Sequence, residues 1–185
     1  MTLAVIGLGS SLGDRSRNLR LAARLLCAAP EVRWVAGSRL WLTPPMGGVA
    51  RGPFLNAALS VETSLPPHAL LSWCKAVESR VGRRPARRWA DRAIDLDVLL
   101  YGAVVVRSET LTIPHAGLLE RDFALRPAQE VAPSLLHPVV GRALSLLPVP
   151  VGGMRAVGVL APATLARRGR LQYSFSQTAA SPGAA

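Results

Sequence analysis

Strand-like and helix-like runs follow one another between Thr2 and Tyr101 in the order strand, helix, strand, strand, helix, strand, and few folds accept that order. Thr2 to Gly9 is apolar and bounded by glycine and serine, the pattern of a buried strand. Asp14 then stands as an N-cap, and Leu19, Leu21, Ala22, Leu25 and Leu26 repeat at helical spacing over Arg15 to Ala29. Val32 to Thr43, rich in Val, Trp and Leu, predicts a second strand, and Phe54 to Thr63 a third by alternation. Ser64, Pro66 and Pro67 open a helix running to about Val81, and Ala93 to Tyr101 closes the set as a strand. This is the α+β ferredoxin-like arrangement, an antiparallel sheet with helices on one face. Beyond it, Val104 to Val106 is expected to pair back as a hairpin, and Leu118 to Val131 carries one or two short helices after the Pro114-His115 break.

With half of its 185 residues hydrophobic, the chain can bury one core. Met1 to Gly13 is free of charge, but thirteen residues fall short of the roughly 18 to 20 a membrane helix needs. No basic residue precedes that run, as a secretory signal would require, so the expected location is the cytosol. Cys27 and Cys74 sit in apolar helical segments without pairing or metal-ligand spacing and read as small buried hydrophobes. The expected division is a domain over residues 1–147 and a Gly/Ala/Pro/Arg-rich extension over 148–185, partly disordered.

The net charge of +11 raises the possibility of a polyanionic partner, and the distribution of arginine narrows it. Arg80, Arg83, Arg84, Arg87, Arg88 and Arg92 fall within thirteen positions, opposed only by Asp91. They precede Asp95-Leu96-Asp97, which a strand places on one face, about 6 to 7 Å apart at Cα. Two carboxylates so placed repel one another unless cations lie between them. Spacing alone leaves surface acids and a Mg²⁺ pair both open, but arginine forks beside the pair are what a polyphosphate would require. Trp89 is expected to pack over a ligand or the loop base. Gly7, Gly9 and Gly13 mimic a dinucleotide fingerprint without its third-glycine spacing, and no Gly-x-x-x-x-Gly-Lys-Ser/Thr motif occurs. Residues 44–53 hold three prolines and three glycines and read as a long functional loop.

Together the segments GLGSSLGD, LWLTPP, FLNAALSVETSL, RRWADRAIDLDVLLYG and LTIPHAGLLERDFALRPAQEVAP resemble the 6-hydroxymethyl-7,8-dihydropterin pyrophosphokinases of folate biosynthesis, over about three quarters of the chain. The resemblance implies ATP-dependent transfer of a pyrophosphoryl group to the hydroxymethyl oxygen of the reduced pterin, giving AMP. It implies that Asp95 and Asp97 hold two Mg²⁺ ions, one carboxylate helping to remove the hydroxyl proton, and that Arg83, Arg92 and His115 neutralise charge on the transferred group, with Arg121 assisting at the pterin side. Phe54 and Phe123 would sandwich the pterin, while Thr43, Pro44 and Asn56 line its polar edge. Leu71, Lys75, Glu78, Arg88, Trp89, Val98 and Thr112 would serve the nucleotide, and the loops at 44–53 and 82–92 would close over both substrates. The partners expected are these small molecules, with no nucleic acid and no membrane, and the protein is expected to be a monomer.

The chain departs from the family pattern at Ser11, where asparagine is usual, and at Ala90-Asp91, which replaces a Gly-Pro-type turn. Two other readings stay open: a relative that binds ATP and Mg²⁺ without catalysis, and an RNA-binding domain built on the same element order.

Overall fold

In the computed structural model, which describes residues 1–44, 52–84 and 91–161, the N-terminal apolar run forms strand β1, Thr2–Ser10. It is paired on both edges and covered on both faces, and the cover is why it is apolar on both faces. Helix α1, Arg15–Leu26, begins where expected, with Asp14 Oδ1 accepting the Arg17 N–H at 2.9 Å. It stops short of Ala29 because Pro30 bars the preceding residue from helical geometry.

The single strand expected over Val32 to Thr43 is divided into β2, Val32–Gly37, and β3, Arg39–Thr43, and both pair with β4, Phe54–Thr63. Ser38 makes the division. Its N–H donates to the Ala58 carbonyl, its Oγ accepts the Ala58 N–H at 2.8 Å and its carbonyl accepts the Leu160 N–H at 2.8 Å. Gly37 permits that last crossing, since a Cβ there would lie 2.1 Å from the Leu160 oxygen. Helix α2, Pro67–Val81, starts at Pro67, where a missing N–H costs nothing, and ends on Gly82 at φ 109°. Strand β5, Asp95–Tyr101, completes the predicted order.

The sheet runs β5-β1-β4-β3 and ends on β8, Arg155–Val159, with β2 also on β4 and every pairing antiparallel. This is the α+β ferredoxin-like arrangement. Helices α1 and α2 cover one face, meeting Ala4, Ile6, Leu59, Leu96 and Val98. The other face is also covered, by helix α3, Asp122–Val131, which packs on Val5, Ala58, Leu99 and Leu100. Helices therefore lie on both faces, where one had been expected. Val106–Arg107 forms β6, which pairs forward with β7, Thr112–Ile113, and not back onto β5.

The segment after residue 147, expected to be irregular, contributes edge strand β8, Arg155–Val159, followed by Leu160 at 1% exposure. Alternating small and branched residues let it pair with β3, so the sheet extends past the boundary drawn at 147. Residues 162–185 lie outside the described residues.

Candidate active site

A cleft of ≈ 410 Å³ opens on the α3 side of the sheet, and strand register explains its floor. Asp95 on β5 lies opposite Gly9 on β1, which lies opposite Asn56 on β4; one row over, Asp97 lies opposite Gly7. Residues directly paired share a face, so both carboxylates rise beside bare backbone. A Cβ on Gly9 would stand 3.1 Å from Asn56 Oδ1, and one on Gly7 3.2 Å from the Leu99 side chain. The two glycines keep this strip of floor low. Glycines two apart inside a strand are a recognisable sign of close ligand approach, and that signal was masked here by the weak dinucleotide pattern.

The pterin-side residues expected from sequence meet at one end of the cleft: Thr43, Pro44, Phe54, Asn56, Arg121 and Phe123 all line it. Asn56 Nδ2 donates to Thr43 Oγ1 at 2.8 Å, which fixes the amide and turns its oxygen toward Gly9. The Arg121 guanidinium stands 5.9 Å from the Phe123 ring centre. His115 also faces the cleft, its backbone N–H donating to the Leu99 carbonyl. Its Nδ1 accepts the Gly117 N–H at 3.1 Å, which in the neutral ring leaves the proton on Nε2.

Arg83 and Arg92 converge on Asp95. Arg92 Nη1 donates to Asp95 Oδ2 at 2.6 Å, and Arg83 pairs with Asp95 and, at 2.7 Å, with Glu78. Burial opposes the Arg83 charge, but Asp95 and Glu78 outweigh it and raise its pKa. Asp97 has the opposite balance: burial first, then the Asp95 charge, push its pKa up against the pull of His115, Lys75 and Arg83.

A carboxyl raised on folding contributes its full stability below its ordinary value of 3.8 and loses it as pH climbs through the folded pKa. In metal-free protein at pH 7, Asp97→Asn is therefore expected to raise the thermal midpoint, with the gain fading toward pH 3. Calorimetry in chelator checks this, and a lowered midpoint at pH 7 contradicts it.

The nucleotide-side residues are placed differently. Among the described residues Leu71, Lys75, Glu78, Val98 and Thr112 do not line the main cleft. Val98 is 2% exposed in the α1/α2 core, so its side chain is not open to a ligand there, and Leu71 packs against the same core. Glu78, also 2% exposed, accepts Lys75 Nζ and the Leu96 N–H, each at 2.7 Å, and satisfies the outer edge of β5. Burial raises its pKa, countered by Lys75, the Leu96 N–H and Arg83. Thr112 lines a second cavity of ≈ 250 Å³ that shares His115 with the first. Arg88 and Trp89 lie outside the described residues, as do residues 45–51 of the long loop.

No ligand set of three or more His, Cys, Asp or Glu occurs among the described residues. Two hard carboxylates in like-charge conflict nevertheless fit Mg²⁺, which takes one or two such ligands and completes its shell with water and phosphate. No described helix is long and apolar enough to cross a membrane.

Comparison with known proteins bears on the family and the fold. The sequence model of 7,8-dihydro-6-hydroxymethylpterin-pyrophosphokinase matches residues 5–133. A Methylorubrum extorquens 2-amino-4-hydroxy-6-hydroxymethyldihydropteridine pyrophosphokinase is 45% identical over 136 residues, covering 74% of this chain and 86% of its own. The Aquifex aeolicus protein of the same name is 37% identical over 144 residues, covering 78% and 89%. Among solved structures, wild-type Plasmodium falciparum HPPK-DHPS shares the fold at TM-score 0.60 and 13% identity; the match covers 79% of this chain and 42% of that longer one. Supported by sequence, register and cleft alike, the chain belongs to the 7,8-dihydro-6-hydroxymethylpterin-pyrophosphokinase family.

Proposed function

We propose that the cleft transfers a pyrophosphoryl group from ATP to the hydroxymethyl oxygen of 6-hydroxymethyl-7,8-dihydropterin and releases AMP. The observation that carries this reading is the shared floor: the Asp95/Asp97 face and the Phe54, Asn56 and Phe123 end belong to one cleft, joined across Gly9. Phe54 and Phe123 offer apolar faces to the flat pterin, and the oriented Asn56 oxygen accepts N–H groups from its polar edge. Pro44 and Thr43 close that edge.

Asp95 and Asp97 would hold two Mg²⁺ ions, which when bound would polarise the phosphate oxygens and neutralise their charge. One of the two carboxylates would help to take the hydroxyl proton. Arg92 and Arg83, held over Asp95, supply positive charge beside the transferred group, and His115 presents Nε2–H to a phosphate oxygen. Arg121, lining the cleft beside Phe123, steadies the pterin side. Attack on the β-phosphorus then depends on positioning and electrostatics, without a covalent enzyme intermediate. Leu71, Lys75, Glu78, Val98, Thr112, Arg88 and Trp89 belong in this reading to the nucleotide side, Val98 backing it from the core and Glu78 acting from within by holding Lys75 and Arg83.

The partners are read as these small molecules and the protein as a cytosolic monomer. The sheet face that an RNA-binding domain of this order would offer carries Asp95 and Asp97 and is covered by α3, which argues against nucleic acid.

Phe123→Ala is expected to weaken pterin binding about tenfold, from the loss of one aromatic face, with nucleotide affinity changed less than about twofold. Isothermal titration with each ligand measures both, and unchanged pterin affinity contradicts the assignment. A coupled assay of AMP release with the hydroxymethyl dihydropterin tests the activity itself. Turnover giving AMP supports the enzyme, whereas ATP binding without turnover points to an inactive relative.

A further inference from the structure

The turn that leaves β1 is stitched to the peptide of Arg92. Ser11 N and Leu12 N both donate to the Arg92 carbonyl, at 3.0 and 3.2 Å, and the Arg92 N–H donates back to Ser11 Oγ at 2.9 Å. Asn18 Nδ2 ties the same two segments by donating to the Leu12 carbonyl at 2.9 Å and the Ala93 carbonyl at 3.1 Å. Both backbone polar groups of Arg92 are therefore held, and the Ser11 hydroxyl supplies the acceptor for its N–H. The Arg92 side chain carries its charge well away from its own Cα. A small rotation of the backbone there becomes a large displacement at the guanidinium, which at present sits 2.6 Å from Asp95.

We infer that Ser11 is a positioning residue: its hydroxyl, by fixing the Arg92 peptide, aims that guanidinium at the phosphate being transferred. The inference rests on the charge-neutralising role proposed for Arg92 and assigns to this chain's own serine a part in the reaction. Backbone bonds from Ser11 and Leu12 survive a side-chain change, so removing the hydroxyl alters aim without undoing the turn.

The test is a double-mutant cycle read by single-turnover kinetics with saturating ATP, Mg²⁺ and pterin. Ser11→Ala should slow the chemical step about tenfold, the scale of one lost hydrogen bond, with KM for both substrates within about twofold of wild type. Ser11→Thr, which keeps the hydroxyl, should restore the rate. In the Arg92→Ala background, Ser11→Ala should cost nothing further. Backbone amide exchange at Arg92 should quicken in Ser11→Ala and stay slow in Ser11→Thr. An unchanged rate in Ser11→Ala, or the same loss in both backgrounds, overturns the positioning role alone. A normal rate in Arg92→Ala by itself overturns the role of Arg92, and the inference with it.

Discussion

Asp97→Ala is expected to abolish turnover, with a fall of at least about 10³-fold in the single-turnover rate, while far-UV circular dichroism stays unchanged and the thermal midpoint does not fall. Both halves of this result come from the same cause. Asp97 stands beside Asp95 on one strand face, and burial together with that neighbour's charge raises its pKa, so its ionised form is a cost to the fold. In the proposed function the carboxylate provides half of a dianionic site, and without it the pair would offer Mg²⁺ one ligand fewer. Asp95→Ala should behave differently. Asp95 is the common partner of Arg83 and Arg92, so its loss also removes one ion pair from each guanidinium and should lower stability as well as rate. Near-normal turnover in Asp97→Ala would refute the assignment of the carboxylate pair.

Arg92→Ala is expected to lower the single-turnover rate by about 10²- to 10³-fold, the range seen when one preorganised donor is removed from a developing charge. Affinity for an ATP analogue should change far less, under about tenfold, because the phosphates would keep the contacts proposed for Mg²⁺ and the remaining cationic side chains. The distinction follows from where Arg92 sits: it lines the cleft next to Asp95, at the reacting end. Stopped-flow single turnovers alongside calorimetric titration separate the two quantities. An unchanged single-turnover rate, or a loss confined to affinity, contradicts a role at the transferred group.

Much of this architecture was legible because local patterns agreed with one another. The N-cap at Asp14, Pro67 at the start of α2 and the Asp-x-Asp alternation of β5 are short-range signals that tertiary packing had no reason to override. The division of the second strand was not legible, since it depends on Ser38 bonding to Ala58 and on Leu160 crossing Gly37, partners 20 and more than 100 residues away. Strand β8 was hidden for a similar reason: a short Arg-Ala-Val-Gly-Val segment has little preference of its own and gains it from pairing with β3. At the site, charged and aromatic residues announced themselves, whereas Gly7, Gly9 and Ser11 act by bare backbone and by a bond to another residue's peptide. The burial of Glu78 was not legible either, since it depends on three partners that hold it inside, bracing Lys75, Arg83 and the edge of β5.

The proposed activity requires the Asp95/Asp97 pair to capture a magnesium-bound triphosphate. Isothermal titration of a non-hydrolysable ATP analogue, with and without Mg²⁺, measures that capture directly in the wild type and in Asp95→Asn/Asp97→Asn. The prediction is clear uptake by wild type only when Mg²⁺ is present and its loss in the double variant. Equal uptake with chelator, or undiminished Mg²⁺-dependent uptake by the double variant, would contradict it.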